Sequence, residues 1–309
     1  MELHQLRYFL AIAKNGNFSR AAERCHVSQP SLSQQIQKLE DELGERLFNR
    51  LKRCAVLTAA GEALLPRATR IVNEVEAARH DVADASEFVR GRVSLGVLPT
   101  VAPYLLPRVL SLARRECPGV DVLIHEEPTS NLLRMAGACE IDLAIISLPL
   151  QDDRFIVESL LDEELLLALP PSHPMTKKRS IHVSDLEGER FILLQEGHCL
   201  GDQAIRFCER GNLLPGIAFR SAQLETIQSL VAAGVGISLI PRMACRSARP
   251  GQPIYRSLAK PGPQRNISVI WHKEQHHSRA AREFLRLLRK ACPSGKAAGR
   301  RSTEASDKH

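Results

Sequence analysis

The chain has 309 residues, enough for one small and one large domain with substantial cores. Its formal net charge of +7 suggests a polyanionic partner, but nine of the 42 Lys and Arg residues lie between 279 and 309, where only three acids accompany them. No apolar run approaches the roughly 18 residues that a membrane span requires, and the N-terminus lacks the basic and then apolar pattern of a signal peptide. We therefore expect a cytoplasmic protein that does not contact a membrane, with a disordered tail over 293–309.

Cysteines are spread along the whole chain. In a reducing cytosol they do not indicate a framework of structural disulfides. No Cys-x-x-Cys pair points to zinc or to a thioredoxin-type site, so we predict no metal and no cofactor. Six of them fall on apolar patterns and are expected to be inert core residues. These are the cysteines at positions 25, 54, 117, 139, 245 and 292.

Helical periodicity near the N-terminus predicts two short helices, over 3–14 and 18–25. Ser28 can cap a third helix, and Pro30 is tolerated in its first turn. Two short helices joined by a tight turn form a helix-turn-helix, whose last helix reads the major groove through polar and basic side chains. A solvated helix face is the simpler interpretation of the same residues. The predicted DNA-contacting residues of this helix are Ser28, Gln29, Pro30, Ser31, Ser33, Gln34 and Lys38.

A basic segment follows the helix-turn-helix. Arg50, Lys52 and Arg53 precede a short β-like run over 55–58, an arrangement typical of a wing that contacts DNA phosphates. We therefore expect a winged helix-turn-helix domain over 1–58.

A long helix is predicted from about residue 58 to residue 89, because its apolar residues alternate steps of four and three. This pattern is a heptad seam of more than three repeats, and a helix with such a seam pairs with a second copy. We predict a homodimer that presents two reading helices to a pseudo-palindromic DNA site. The seam comprises Leu64, Ala68, Ile71, Val75, Ala78, Val82, Ala85 and Val89.

The rest of the sequence alternates apolar β-like runs with helical stretches, which is typical of an α/β fold with helices on both faces of the sheet. The predicted strands are 93–98, 120–125, 143–146, 165–169, 190–194, 217–219, 236–240 and 267–271, and the predicted helices are 104–116, 130–138, 223–233 and 278–290. Breaks near 162–166 and 265 divide this region into two subdomains, 91–162 plus 266–292 and 163–265. A ligand would bind in the cleft between them.

Two motifs carry a specific resemblance. The segment 18–40, FSRAAERCHVSQPSLSQQIQKLE, and the segment 57–61, LTAAG, resemble the LysR-type transcriptional regulators. The resemblance implies a winged helix-turn-helix, a linker helix for dimerisation over 59–90, and an effector domain over 91–292. This effector domain would have the periplasmic-binding-protein type II fold with two subdomains.

The segment 197–208, GHCLGDQAIRFC, places two cysteines nine residues apart in a helical pattern. Leu200, Ala204, Phe207 and Cys208 would form one apolar stripe of that helix. Nine helical residues rise about 13 Å, whereas the Cα atoms of a disulfide lie within about 7 Å. The two cysteines can therefore join only if the helix between them unwinds. Two unrelated core cysteines remain the alternative, since free Cys is often buried.

This segment, together with 98–107 (LPTVAPYLLP), Thr129 and Arg265, resembles the peroxide-sensing branch of the LysR family. The resemblance implies that Cys199 is oxidised to a sulfenic acid and forms a reversible disulfide with Cys208. The expected peroxide-binding residues are Thr100, Thr129, His198, Asp202 and Arg265. Because a thiolate attacks peroxide, a helix N-terminus and a cation are expected to lower the pKa of Cys199. Taken alone, Thr129 could equally cap a helix, and His198 would usually be structural.

The predicted function is a peroxide-sensing regulator that switches transcription of antioxidant genes. The expected partners are double-stranded DNA, hydrogen peroxide, a second copy through the linker helix, a homotetramer, RNA polymerase, and a thiol reductant such as glutaredoxin or thioredoxin. One alternative is a LysR-type regulator of a small organic effector, in which Cys199 and Cys208 are only core residues. Another is a thiol peroxidase, which the dedicated DNA-binding half disfavours.

Overall fold

A computed structural model describes residues 1–51, 54–83, 89–195, 199–245 and 251–292. The N-terminal domain contains three helices and a two-stranded hairpin. Their bounds are α1 Leu3–Asn15, α2 Phe18–Arg24, α3 Gln29–Leu43, β1 Phe48–Leu51 and β2 Cys54–Leu57. The helices begin where capping residues allow, since Asn17 accepts hydrogen bonds from two backbone amides of α2 and Ser28 accepts one from Ser31.

The hairpin is fixed to α3 by a buried carboxylate. Glu40 Oε1 accepts hydrogen bonds from the backbone amides of Leu47 at 2.8 Å and Phe48 at 3.3 Å. On the other side, the Ala55 amide donates to the Gly16 carbonyl at 2.8 Å, which joins β2 to the turn after α1. The hairpin therefore belongs to the same packed unit as the three helices.

The helix that follows, α4, spans Ala59–Ala83. The structure corrects in part the prediction that the whole heptad seam of α4 pairs with a second copy. Ala68 is fully buried in the core of the N-terminal domain, and Leu64 packs against that core. Further along, Ile71 is 40% exposed, and Ala78 is exposed. Val89, at the other end of the seam, packs against the core of the large domain. Among the described seam residues, only the middle of the seam is therefore left for a second copy, and residues 84–88 lie outside the described part of the chain.

Two contacts join α4 to the large domain of the same chain. Arg70 Nη1 lies 2.6 Å from Glu274 Oε2, and Asn73 Nδ2 donates to the Cys139 carbonyl at 2.9 Å. Cys139 has a φ of 54°, a conformation that L residues rarely adopt.

The large domain alternates strands and helices as the sequence predicts. Its elements are β3 Arg90–Val97, α5 Ala102–Glu116, β4 Gly119–Glu126, α6 Thr129–Gly137, β5 Leu143–Ser147, β6 Phe155–Leu169, β7 Arg190–Leu194, α7 Cys199–Arg210, β8 Gly216–Ser221, α8 Leu224–Ala232, β9 Ser238–Pro241, β10 Ile254–Arg256, β11 Gln264–His272 and α9 Arg279–Ala291.

The strand β6 connects two separate hydrophobic cores. Its first part pairs with β11, which continues through β5 and β3 to β4, and its last part pairs with β9 and β10. One core lies around β3, β5, α5 and α9, and the other around β7, α7 and α8. This is the expected α/β architecture with two subdomains.

The sequence prediction found only the end of β6, at 165–169, and missed β10. Residues 155–164 include Glu158, Asp162, Glu163 and Glu164, so this half of the strand reads as polar. Within the described part of the chain, no helix is long and apolar enough to cross a membrane.

Candidate redox site and DNA-reading surface

Cys199 is the first residue of α7 and is half-buried. It is a free thiol. The first turn of α7 lies against the end of β7, because a Cβ added at Gly201 would come within 2.9 Å of the Leu194 carbonyl oxygen. Glycine at this position therefore allows the helix to begin directly over the strand. The predicted peroxide ligand His198 lies outside the described residues.

A buried arginine connects the two subdomains beside this cysteine. Arg265 is 2% exposed and donates from Nη1 to Thr100 Oγ1 at 2.9 Å and from Nη2 to the Thr100 carbonyl at 3.2 Å. Its Nε donates to Glu163 Oε2 at 2.7 Å. The structure therefore brings together the predicted site residues Thr100 and Arg265, and adds a carboxylate that the sequence prediction missed.

Thr129 and Asp202 also act on the Cys199 thiol. Thr129 is the first residue of α6, and its buried hydroxyl has no hydrogen-bond partner among the described residues. It lies near the sulfur, since the Thr129 side chain lowers the pKa of Cys199, whereas the charge of Asp202 raises it. Asp202 is exposed in the first turn of α7.

The expected low pKa of Cys199 is not found in this reduced structure. Burial is the largest influence and raises the pKa of the thiol, while the positive charge of Arg265 and the Thr129 hydroxyl act in the opposite direction. The prediction considered the cation and the helix N-terminus but not the desolvation of the site. Arg265 nevertheless supplies the predicted cation.

Cys208 occupies the other end of α7 and is fully buried among the residues of the second core, with Leu200 and Ala204 on the same stripe. Burial raises the pKa of the Cys208 thiol to about 11. Because α7 is an intact helix between the two cysteines, their Cα atoms are separated by about 13 Å. The predicted apolar stripe is confirmed, with Phe207 partly buried against the same core.

Gln203 is a second residue that the sequence prediction missed. From the middle of α7 its Nε2 donates to Ser147 Oγ at 2.8 Å and to the Leu148 carbonyl at 2.9 Å. These bonds join α7 to the end of β5 in the other subdomain. The only sequence signal was a polar residue inside the segment between the two cysteines.

The other six cysteines are not all core residues. Cys117, Cys139 and Cys292 are buried as predicted, whereas Cys25 and Cys245 are half-buried. Cys54 is exposed, because the side chains of β2 alternate between faces and the neighbouring Ala55 takes the buried one.

The predicted DNA-reading residues mostly lie on an open face of α3. Those that are exposed are Ser28, Gln29, Pro30, Ser31, Gln34 and Lys38, whereas Ser33 is half-buried. Ser28 has a structural role as well, since its hydroxyl caps the helix. Arg50 lies in β1, and Lys52 and Arg53 fall outside the described residues.

Two family models match the chain. Residues 3–62 match the bacterial regulatory helix-turn-helix protein, lysR family, and residues 86–293 match the LysR substrate binding domain. The chain therefore belongs to the LysR family of bacterial transcriptional regulators. Within that family its similarity is to the peroxide-responsive OxyR branch.

Individual relatives support this placement. The chain is 38% identical over 272 residues to the hydrogen peroxide-inducible genes activator of Dickeya chrysanthemi, covering 88% of this chain and 89% of the relative. It is 37% identical to the DNA-binding transcriptional dual regulator OxyR of Escherichia coli (strain K12), with the same two coverages.

Solved structures agree with the fold. The full-length OxyR C199D variant from Pseudomonas aeruginosa superposes with a TM-score of 0.78 at 32% identity, covering 94% of both chains. Full-length CbnR in complex with its target DNA superposes with a TM-score of 0.67 at 25% identity, covering 94% of this chain and 100% of that one.

Proposed function

We propose that this protein is a hydrogen-peroxide-sensing transcriptional regulator. The observation that carries the proposal is the asymmetry of α7, which begins at a half-buried cysteine beside Arg265 and ends near a fully buried one. The Cys199 thiolate attacks one peroxide oxygen, the O–O bond breaks, and hydroxide leaves with a proton as water. The resulting sulfenic acid condenses with the Cys208 thiol, which releases a second water and forms the disulfide.

The neighbouring residues suit the first step. The hydroxyls of Thr100 and Thr129 can accept hydrogen bonds from peroxide and donate hydrogen bonds to it. The guanidinium of Arg265 stabilises the negative charge on the sulfur and on the leaving oxygen. His198 and Asp202 belong to the same proposed pocket, as the resemblance implies.

The second step changes the shape of the domain. A disulfide requires Cα atoms within about 7 Å, so residues 200–207 must leave the helix. Leu200 and Ala204 then lose their places in the second core, and the bonds from Gln203 to the other subdomain break. The oxidised form would thus present a different surface on the subdomain 163–265.

We further propose that this surface change moves the DNA-binding domains. The linker helix over 59–90 would form a homodimer on a pseudo-palindromic operator in double-stranded DNA, and effector domains would pair the dimers into a tetramer. RNA polymerase would respond to the resulting arrangement of the tetramer on DNA. Glutaredoxin or thioredoxin would reduce the disulfide and restore the thiols. The domain limits proposed for this are 1–58, 59–90 and 91–292.

Nuclease footprinting tests the function directly. Reduced and peroxide-treated protein should protect different lengths of a native operator or bend its DNA differently. Mass spectrometry measures the thiol state of both cysteines in each sample. Coupling of this kind is typically about 1–3 kcal/mol, enough to select one of two footprints. Identical footprints with the disulfide confirmed would contradict the proposal.

The same mass spectrometry separates one other function, and a measurement of peroxide consumption separates a second. A regulator of a small organic effector would leave both thiols unmodified by brief peroxide. A thiol peroxidase would consume peroxide continuously with a reductant, and we infer instead a cytoplasmic regulator that reacts once per switching event.

The dimer has its own test. Val75 is a half-buried seam residue, and Val75→Glu would place unpaired carboxylates against each other, which costs several kcal/mol in an apolar interface. Sedimentation at micromolar concentration should show monomers, while a dimeric variant would exclude this seam as the interface.

A further inference from the structure

We infer that Glu163 is a positioning residue of the peroxide site, which holds Arg265 against Thr100 and balances its charge beside Cys199. The inference rests on the proposed function and deepens it. Arg265 and Glu163 are direct partners in the ladder between β11 and β6, at the point where the chain passes from one subdomain to the other. Both side chains are buried, with 0% of the arginine and 4% of the glutamate exposed.

Both carboxylate oxygens of Glu163 have defined partners. Oε2 accepts from Arg265 Nε at 2.7 Å, and Oε1 accepts from the Met243 amide at 2.6 Å. Met243 belongs to a short turn after β9, in the second subdomain. Glu163 therefore needs two acceptor oxygens in fixed places, a requirement that a carboxylate meets and an amide does not.

The ion pair also decides where the guanidinium points. Glu163 Oε2 lies 2.7 Å from both Nε and Nη2 of Arg265. This leaves Nη1 directed at the Thr100 hydroxyl, while Nη2 also donates to the Thr100 carbonyl. Arg265 is thus pre-oriented before peroxide arrives, which is what a site stabilising a developing charge requires. Glu164, the next residue, pairs instead with Arg242 at the surface and does not take part.

Charge is the second part of the role. Arg265 and Asp202 are the charged groups that act on the Cys199 thiol, with opposite effects. A full negative charge bonded to Arg265 reduces the net positive charge near the sulfur. Removing the charge of Glu163 is therefore expected to let Cys199 ionise more readily, although the donors of Arg265 would no longer be held in place.

These two effects can be separated with three variants in the Cys208→Ser background, measured by two reactions. Alkylation of Cys199 by iodoacetamide across pH reports ionisation alone, and sulfenic acid formation with hydrogen peroxide at a pH above the alkylation midpoint reports the organised site. Glu163→Gln should move the alkylation midpoint down by about one pH unit, yet slow the peroxide reaction about tenfold or more.

Glu163→Asp keeps the charge but shortens the reach, so its alkylation profile should match the parent while its peroxide reaction slows. Glu164→Gln, the surface control, should match the parent in both reactions. If the unpaired, buried Arg265 prevents the Glu163→Gln variant from folding, the peroxide reaction of Glu163→Asp alone tests the inference. Parent-like peroxide rates in both Glu163 variants, or equal changes in both reactions, would overturn the inference. A parent protein that does not react with peroxide would instead contradict the proposed function.

Discussion

The two ends of α7 give their cysteines different surroundings. Burial raises the pKa of both thiols, but at Cys199, which lies at the helix N-terminus between the subdomains, the charge of Arg265 and the Thr129 hydroxyl oppose that rise. Cys208 lies inside an apolar core, where burial raises its pKa to about 11. A helix keeps them apart. The comparison teaches that position along one helix can give two cysteines different accessibility and different charged neighbours, which is the difference that the proposed roles require.

The largest expected effect comes from removing either thiol. Cys199→Ser should abolish disulfide formation and the transcriptional response, while Cys208→Ser should still oxidise at Cys199 and leave a sulfenic acid that a dimedone probe traps. Mass spectrometry after brief peroxide measures both. If Cys208→Ser blocks the first oxidation as fully as Cys199→Ser, the roles assigned to the two ends are wrong.

A second prediction uses the pKa of the buried end. Because the folded pKa of Cys208 is raised to about 11, the unfolded thiol ionises first as pH rises. The stability that this thiol contributes is complete below about pH 8.5 and is lost by pH 11, a loss of roughly 2–3 kcal/mol. Denaturant unfolding of the wild type and of Cys208→Val over this range should show a steeper decline for the wild type. Parallel curves would mean that Cys208 is less buried than the structure shows.

The third prediction concerns the contact between the first turn of α7 and the end of β7. Gly201→Ala would normally favour a helix by about 0.5–1 kcal/mol, but here the added Cβ would lie 2.9 Å from the Leu194 carbonyl oxygen. We expect a net loss of about 1–3 kcal/mol in unfolding free energy, and faster closure of the disulfide after Cys199 oxidises. Stopped-flow quenching measures the closure step. An increase in stability would show that the helix start tolerates a side chain.

The smallest effect should come from the middle of α7. Gln203→Met keeps the length of the side chain and removes the two bonds to Ser147 and Leu148, at a cost of about 1 kcal/mol. Disulfide closure should accelerate modestly, with no change in the first oxidation. Arg210→Gln, on an exposed position of the same helix, serves as the control. Unchanged closure in Gln203→Met would show that these bonds do not hold the reduced form together.

Much of this architecture follows from local sequence patterns. Helical periodicity, the cap at Ser28 and the alternation of apolar runs correctly predict most elements, and the stripe through Leu200 and Ala204 is confirmed. The patterns fail where tertiary contacts decide. The first half of β6 is charged yet forms a strand, because its partner β11 supplies the missing hydrogen bonds and Arg265 neutralises Glu163.

The site shows the same division. Motif resemblance places Thr100 and Arg265, which lie 165 residues apart in the chain and are joined by a hydrogen bond. The pKa of Cys199 could not be predicted, since desolvation depends on how tightly two subdomains close around the sulfur. The packing of Ala68 in the DNA-binding domain was missed for a similar reason, because a heptad seam does not say which surface covers each of its turns.

The buried carboxylate of Glu40 has a consequence for how a promoter could report redox state. Glu40 accepts hydrogen bonds from the amides of Leu47 and Phe48, and the Gly16 carbonyl accepts one from Ala55. The reading helix α3 and the hairpin β1–β2 are therefore expected to move together as a rigid unit. Each head would then recognise the same short base sequence in both states. Under the proposed function, promoters would then differ in the distance and helical phase between copies of that sequence. Two genes with identical half-sites would respond oppositely to peroxide if the spacing between their half-sites differed by a few base pairs.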